Sequence, residues 1–248
     1  LKTNMFKRPI YFSATVGSDV YIGLEDFLVR GGLALRITPV KQPRGKASDL
    51  DINITEKCLF NYDNSNNFHK EPHYGFKFRN LNDPSVYYDE VHRRSILGYR
   101  LIFLDYAQNV LTIQKDTVKA NKALELMNKL ISVDLFPMDW EMTAQVADLY
   151  DKMNNKQMAK KFAEMSINLV ETALANNQIM KEMQFYELLG RYRGPYTTMA
   201  DMAYLIKDYK LTIEKLNMEY AMASQMLQDI KSDPQYAGYQ QYLVENMN

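Results

Sequence analysis

Between Asp139 and Asn177 the chain carries two apolar stripes at helical spacing, separated by a pair of asparagines. In the first, Thr143, Val146, Ala147, Tyr150 and Met153 recur every three or four residues, which puts them on one face of a helix. In the second, Met158, Phe162, Met165, Leu169 and Ala173 do the same, and Ala159, Ala163 and Val170 widen the stripe. Asn154 and Asn155 break the pattern, and asparagine tolerates the left-handed backbone that ends a helix. Neither helix can bury its stripe alone, so each needs the other and a neighbouring pair beyond.

The same period runs from Asp83 to the C-terminus. Pro84 suits a first helical turn, and Asp89 is a second cap a few residues on. Ile96, Tyr99, Phe103, Ala107 and Val110 form a stripe that ends near Gln114. Asp116 caps the next helix, whose stripe is Ala120, Ala123, Leu124, Met127, Leu130 and Ile131, stopped by Pro137. Beyond the central pair the spacing predicts a helix from Ile179 to Tyr192, a break at Gly194-Pro195, and a resumption from Met199 to Ile206. Ile213, Leu216, Tyr220, Ala223, Leu227 and Ile230 give the cleanest alternation, and Pro234 opens a short terminal helix. Helix pairs of this length point to a tetratricopeptide-type solenoid, with an unrelated helical bundle as the alternative. Ala147, Tyr150 and Ala159 have the spacing of that repeat's small, aromatic and small positions.

The first eighty residues read differently. Pro9 to Val16 is rich in β-branched and aromatic residues and predicts a strand. Ser18 or Asp19 caps a short helix carrying Ile22, Leu24, Phe27 and Leu28, which Gly31-Gly32 ends. Leu33, Leu35 and Ile37 alternate with Ala34, Arg36 and Thr38 in a second strand, giving a βαβ-like unit. Lys41 to Ser48 is a polar loop, and Asp51 to Phe60 fits neither period. Asn61 to Pro72 reads as an exposed excursion. Phe76 and Phe78 form a last strand or plug the junction.

Thirty basic and thirty acidic residues balance, so nothing draws the chain to nucleic acid or anionic lipid. No apolar run approaches the roughly 18–20 residues of a membrane helix. The chain opens on Leu1, which reads as a trimmed fragment, so that absence has little weight. Cys58 has no partner for an internal disulfide, and both a cytosolic and a periplasmic setting allow a buried free thiol.

Arg8-Pro9-Ile10-Tyr11-Phe12, Thr15-Val16-Gly17 and Tyr21-Ile22-Gly23-Leu24 come in order, followed by Gly32-Leu33-Ala34, Arg36 and Thr38-Pro39-Val40. Phe76-Lys77-Phe78, Asp83-Pro84, Val86-Tyr87, Asp89-Glu90 and Arg93-Arg94 continue the series. In these residues the chain resembles the C-terminal soluble part of a bacterial membrane protein family, the protein O-mannosyltransferase-like proteins. The resemblance covers about the first hundred residues; the helical remainder matches only in type. It implies a multi-span membrane half, preceding this chain, that holds the catalytic acid and the lipid-phosphate site. It further implies an extracytoplasmic, periplasmic location for the soluble part, and gives no catalytic residue to carry over.

Among candidate sites, His69 and His73 stand four apart, the spacing of two metal ligands on a helix, yet Pro72 lies between them in a loop. Asp89, Glu90, Arg93 and Arg94 offer an anion grip or, more simply, a helix cap with surface ion pairs. Asp116-Thr117-Val118 fits a loose O-glycosylation acceptor pattern and, more simply, a helix cap. Arg191, Tyr192, Arg193 and Tyr196, with Tyr150, are the candidate recognition surface, because Arg and Tyr favour interfaces and tyrosine faces stack on sugars. A packed inter-helix turn is the plainer reading.

The expectation is an α+β chain: a small α/β subdomain over residues 1–82 and an all-α, tetratricopeptide-like array over 83–248. Its expected role is non-catalytic, without metal or cofactor: a scaffold that binds a polypeptide or protein partner near a membrane enzyme, joined to the membrane through a preceding segment. A structural or oligomerisation module without substrate binding is the second reading. An enzyme with a pocket where Arg36, Asp89 and Arg93 converge is the third.

Overall fold

A computed structural model describes residues 8–42, 50–66, 68–71, 73–175 and 194–232. The fold is α+β, and the chain divides into two compact units, Leu1–Pro137 and Met138–Asn248. The expected break at residue 82 falls inside the first unit, because the helices that follow it pack onto the N-terminal elements rather than away from them. The predicted helices over 179–192 and after Pro234 lie outside the described residues, as does most of the polar loop 41–48.

In the first unit, β1 (Tyr11–Ser13), β2 (Leu28–Gly31) and β3 (Ala34–Ile37) form an antiparallel sheet in the order β1-β3-β2. This replaces the expected βαβ unit. Gly31↔Ala34 closes a two-residue hairpin whose first loop residue, Gly32, has φ +62°. That is the backbone for which hairpins choose glycine, so the glycines turn a hairpin rather than end a helix. The expected helix breaks into two single 3-10 turns, Ser18–Val20 and Glu25–Phe27, because Ile22 and Gly23 are both left-handed between them.

The ambiguous stretch resolves as helix α1 (Ile52–Phe60), with the Asp51 carboxylate accepting from Ile54 N at 2.9 Å. It lies on the hairpin: a Cβ on Gly31 would meet Ile54, and one on Gly32 would meet Phe76 and Cys58. Phe76 and Phe78 act as the plug, packing edge-on to Tyr99 with ring centroids 5.2 Å apart in each case.

Helix α2 (Glu90–Asn109) is the axis of this unit, capped by Asp89 and followed by a π-turn, Val110–Gln114, which a left-handed Lys115 ends. Between Ile102 and Val110 it is buried on nearly every side, so its apolar stripe is wider than the spacing alone predicts. Helix α3 (Thr117–Leu130) buries the whole predicted stripe from Ala120 to Leu130. Where α3 ends, the fully buried Arg100 of α2 donates through Nη2 to the carbonyls of Ile131, Ser132 and Phe136 at 3.2, 3.1 and 2.9 Å. Burial pulls its guanidinium down to about 10, so it is still charged at neutral pH.

The second unit holds α4 (Trp140–Lys152), α5 (Lys156–Leu174), α6 (Pro195–Leu205) and α7 (Tyr209–Ser232). Asn154 has φ +60°, its N–H bonds Asp151 O, and Asn155 N reaches Tyr150 O at 2.9 Å. These two bonds make a Schellman motif. Asn155 also caps the next helix through its side chain on Met158 N. The α6–α7 turn repeats the device: Lys207 has φ +66°, Asp208 N bonds Ala203 O at 2.8 Å, and the Asp208 carboxylate caps Leu211 N. Helix α5 packs on both α4 and α6, and α4 on α6. Within these pairs Ala147, Tyr150 and Ala159 have no exposed surface. Among the described residues no helix is long and apolar enough to cross a membrane.

Candidate functional site

The outer face of α3 carries Lys122, Glu125, Leu126 and Lys129, one stripe at i, i+3, i+4 and i+7, opposite the buried Ala123, Leu124 and Met127. Facing it are Phe60, the last residue of α1, and Tyr62 just beyond it. Together the six side chains line an open groove of about 340 Å³. Both rings are held from behind. Phe60 packs edge-on to the buried Tyr106 at 5.8 Å and Tyr62 edge-on to Phe78 at 6.0 Å. Burial, then the nearby Glu56 carboxylate, keeps the Tyr106 phenol protonated.

Electrostatically the groove is mixed. Lys122 Nζ sits 5.3 Å from the Phe60 ring centroid, within cation–π range. Asn121 donates to the Glu125 carboxylate at 2.6 Å. Among the described residues no carboxylate forms an ion pair with Lys122 or Lys129. Two ammonium groups about 10 Å apart along a helix, with an aromatic wall, suit an extended ligand carrying acidic and apolar groups.

Of the predicted surface, Arg191, Tyr192 and Arg193 lie outside the described residues. Tyr196 is half-buried in the first turn of α6. Tyr150 is corrected from surface to core: it is fully buried and stacks on Phe162 at 5.7 Å and 17°. Its place on the apolar face of α4 turns it into the α5 seam.

His69 and His73 stack with ring centroids 4.3 Å apart, and His69 Nε2 is paired to Asp63 at 3.0 Å. Among the described residues no group of three or more His, Cys, Asp or Glu could hold a metal. Asp89 caps α2 on His92, and Glu90 pairs with Arg94. Arg93 donates to the carbonyls of Tyr88 and Leu135 and lies over Phe136. No described contact joins Arg36 to Asp89 or Arg93. Asp116 caps α3 through Lys119 N, with Val118 exposed beside it.

The stretch after α1 is the exposed excursion that its polarity predicts, and it is fastened at Asp63. Its carboxylate accepts from Ser65 N at 2.8 Å and Ser65 Oγ at 2.9 Å, then from His69, with Lys77 nearby. The Ser65 amide is the chief cause holding this carboxyl far below the usual carboxylate range. The folded-state value is the lowered one, so its stabilisation is complete above the unfolded value near about 4 and is lost as pH falls below it. Slow amide exchange at Ser65 is expected to weaken progressively as pH falls below that value, and to be lost only on passing the lowered folded-state value. Asp63→Asn should abolish the acid transition, and an unchanged transition in that variant would refute the assignment.

Sequence reasoning missed the groove. The α3 half was legible as the polar face opposite the stripe; the aromatic half was not, because only tertiary packing brings Phe60 and Tyr62 to it. Among known proteins, a family model described as TMEM260-associated domain 2 matches residues 1–56. No curated protein and no solved structure matches the chain.

Proposed function

We propose that this chain is a non-catalytic binding module, the extracytoplasmic part of a membrane protein of the O-mannosyltransferase-like kind, which holds a polypeptide near the membrane enzyme. The groove on α3 carries the binding part of this reading: its paired aromatics and flanking lysines fit an extended peptide with acidic and apolar side chains. The match of residues 1–56 supports the membrane-protein setting, and the periplasmic face rests on the resemblance of the first hundred residues alone. The two helix hairpins with one turn design, and the buried Ala147, Tyr150 and Ala159, support a tetratricopeptide-like repeat. A structural module without peptide binding is the second reading, favoured by exposed apolar residues on α7.

The test is fluorescence anisotropy of a labelled, unfolded acidic polypeptide titrated with the whole chain. Binding is expected at micromolar concentrations, weakened at least about tenfold by Tyr62→Ala with Lys122→Ala. No binding up to about 1 mM would sink the peptide reading.

A further inference from the structure

Helix α7 is packed by one face and patterned on another. Leu211, Lys215, Glu219 and Met222 are half-buried, and Thr197 of α6 donates to Glu219, so this side lies against α6. Tyr209, Ile213, Leu216 and Tyr220 lie roughly half a turn around the helix from it. They are 55, 61, 48 and 76 % exposed. Tyr204, at the end of α6 and 64 % exposed, meets Tyr209 edge-on at 5.8 Å and extends the patch. A helix that leaves an apolar row in water on the side away from its own packing marks an interface.

We infer that this row is a self-association surface whose occupant is α7 of a second copy of the chain, running antiparallel. The row reads the same in both directions: aromatic, aliphatic, aliphatic, aromatic, at spacings of four, three and four. A two-fold axis between Glu214 and Lys215 therefore sets Tyr209 on the partner subunit's Tyr220, and Ile213 on the partner subunit's Leu216. An isologous interface requires this self-complementarity, and the spacing is that of a coiled-coil seam. The exposed flank agrees: Lys210 falls opposite the partner subunit's Asn217, so no like charges meet there. With thirty basic and thirty acidic residues the two copies carry no net charge to repel each other. Burying the eight side chains removes on the order of 1,000 Å², the lower range of a specific interface. This surface is independent of the groove on α3.

Sedimentation velocity on the whole chain from about 1 to 100 µM is expected to show a reversible dimer. Leu216→Glu should weaken it at least about 100-fold while leaving circular dichroism, thermal midpoint and peptide binding unchanged. Mixed Tyr209→Cys and Tyr220→Cys chains should form the heterodisulfide in preference to either homodisulfide. Monomers at the highest concentration, a dimer indifferent to Leu216→Glu, or a preference for homodisulfides would each overturn the proposal. Protection of Tyr209→Cys from a thiol reagent in a monomer would assign the row to residues of the same chain, and would overturn it too.

Discussion

Arg100→Ala is expected to destabilise the first unit by about 3–5 kcal/mol, among the largest effects of any single substitution in the chain. Three carbonyls at and beyond the end of α3 accept from one guanidinium nitrogen, and the side chain is fully buried. Truncation removes a cation from the negative end of a helix, takes this donor from the Ile131 and Phe136 carbonyls (Ser132 O keeps the Phe136 amide) and opens a void. Nε and Nη1 have no partner among the described residues, so part of the charge's desolvation is uncompensated. Arg100→Met separates these terms, since it fills most of the volume and carries no charge. An intermediate loss of about 1–3 kcal/mol is expected, from the unpaired carbonyls. Urea unfolding followed by circular dichroism gives the sizes, and amide exchange from Leu130 to Phe136 gives the place. Wild-type stability in both variants would show that the arginine does not hold the end of α3.

Tyr150→Ala should cost a similar amount, about 3–5 kcal/mol, in the second unit. The ring is fully buried and stacked on Phe162, and the carbonyl of the same residue anchors the turn into α5. Trp140, the sole tryptophan, lies at the start of α4 and reports the transition by fluorescence. Tyr150→Phe keeps the stacking and should lose only about 0.5–1.5 kcal/mol. An alanine variant of unchanged stability and weakened peptide binding would restore Tyr150 to the surface.

These two residues show what the sequence could and could not convey. The stripes on α2, α3, α4 and α5 were legible because amphipathic period alone decides them. Tyr150 belonged to such a stripe, and treating it as a recognition residue ignored its own spacing. Arg100 gave no signal: a lone arginine among apolar residues reads as a polar interruption until the end of another helix is brought over it. The hairpin Leu28–Ile37 was misread because two glycines serve equally well to stop a helix or to turn a strand, and only pairing decides. The groove on α3 was half-visible for the same reason, since Phe60 and Tyr62 acquire their meaning from a face some sixty residues away. On α7 the cleanest apolar alternation in the sequence marks the helix and not its burial, and Ile213, Leu216 and Tyr220 are exposed.

Asn155 and Asp208 each finish one helix and begin the next, so neither hairpin contains a linker in the ordinary sense. Such an elbow has no slack to absorb a change of length. One residue inserted after Asn154 would advance α5 by about 100° of rotation, setting Lys161 where Phe162 packs and Met158 where Ala159 packs. These corners therefore tolerate substitution far better than insertion, and length variation between relatives of this unit should be found away from them.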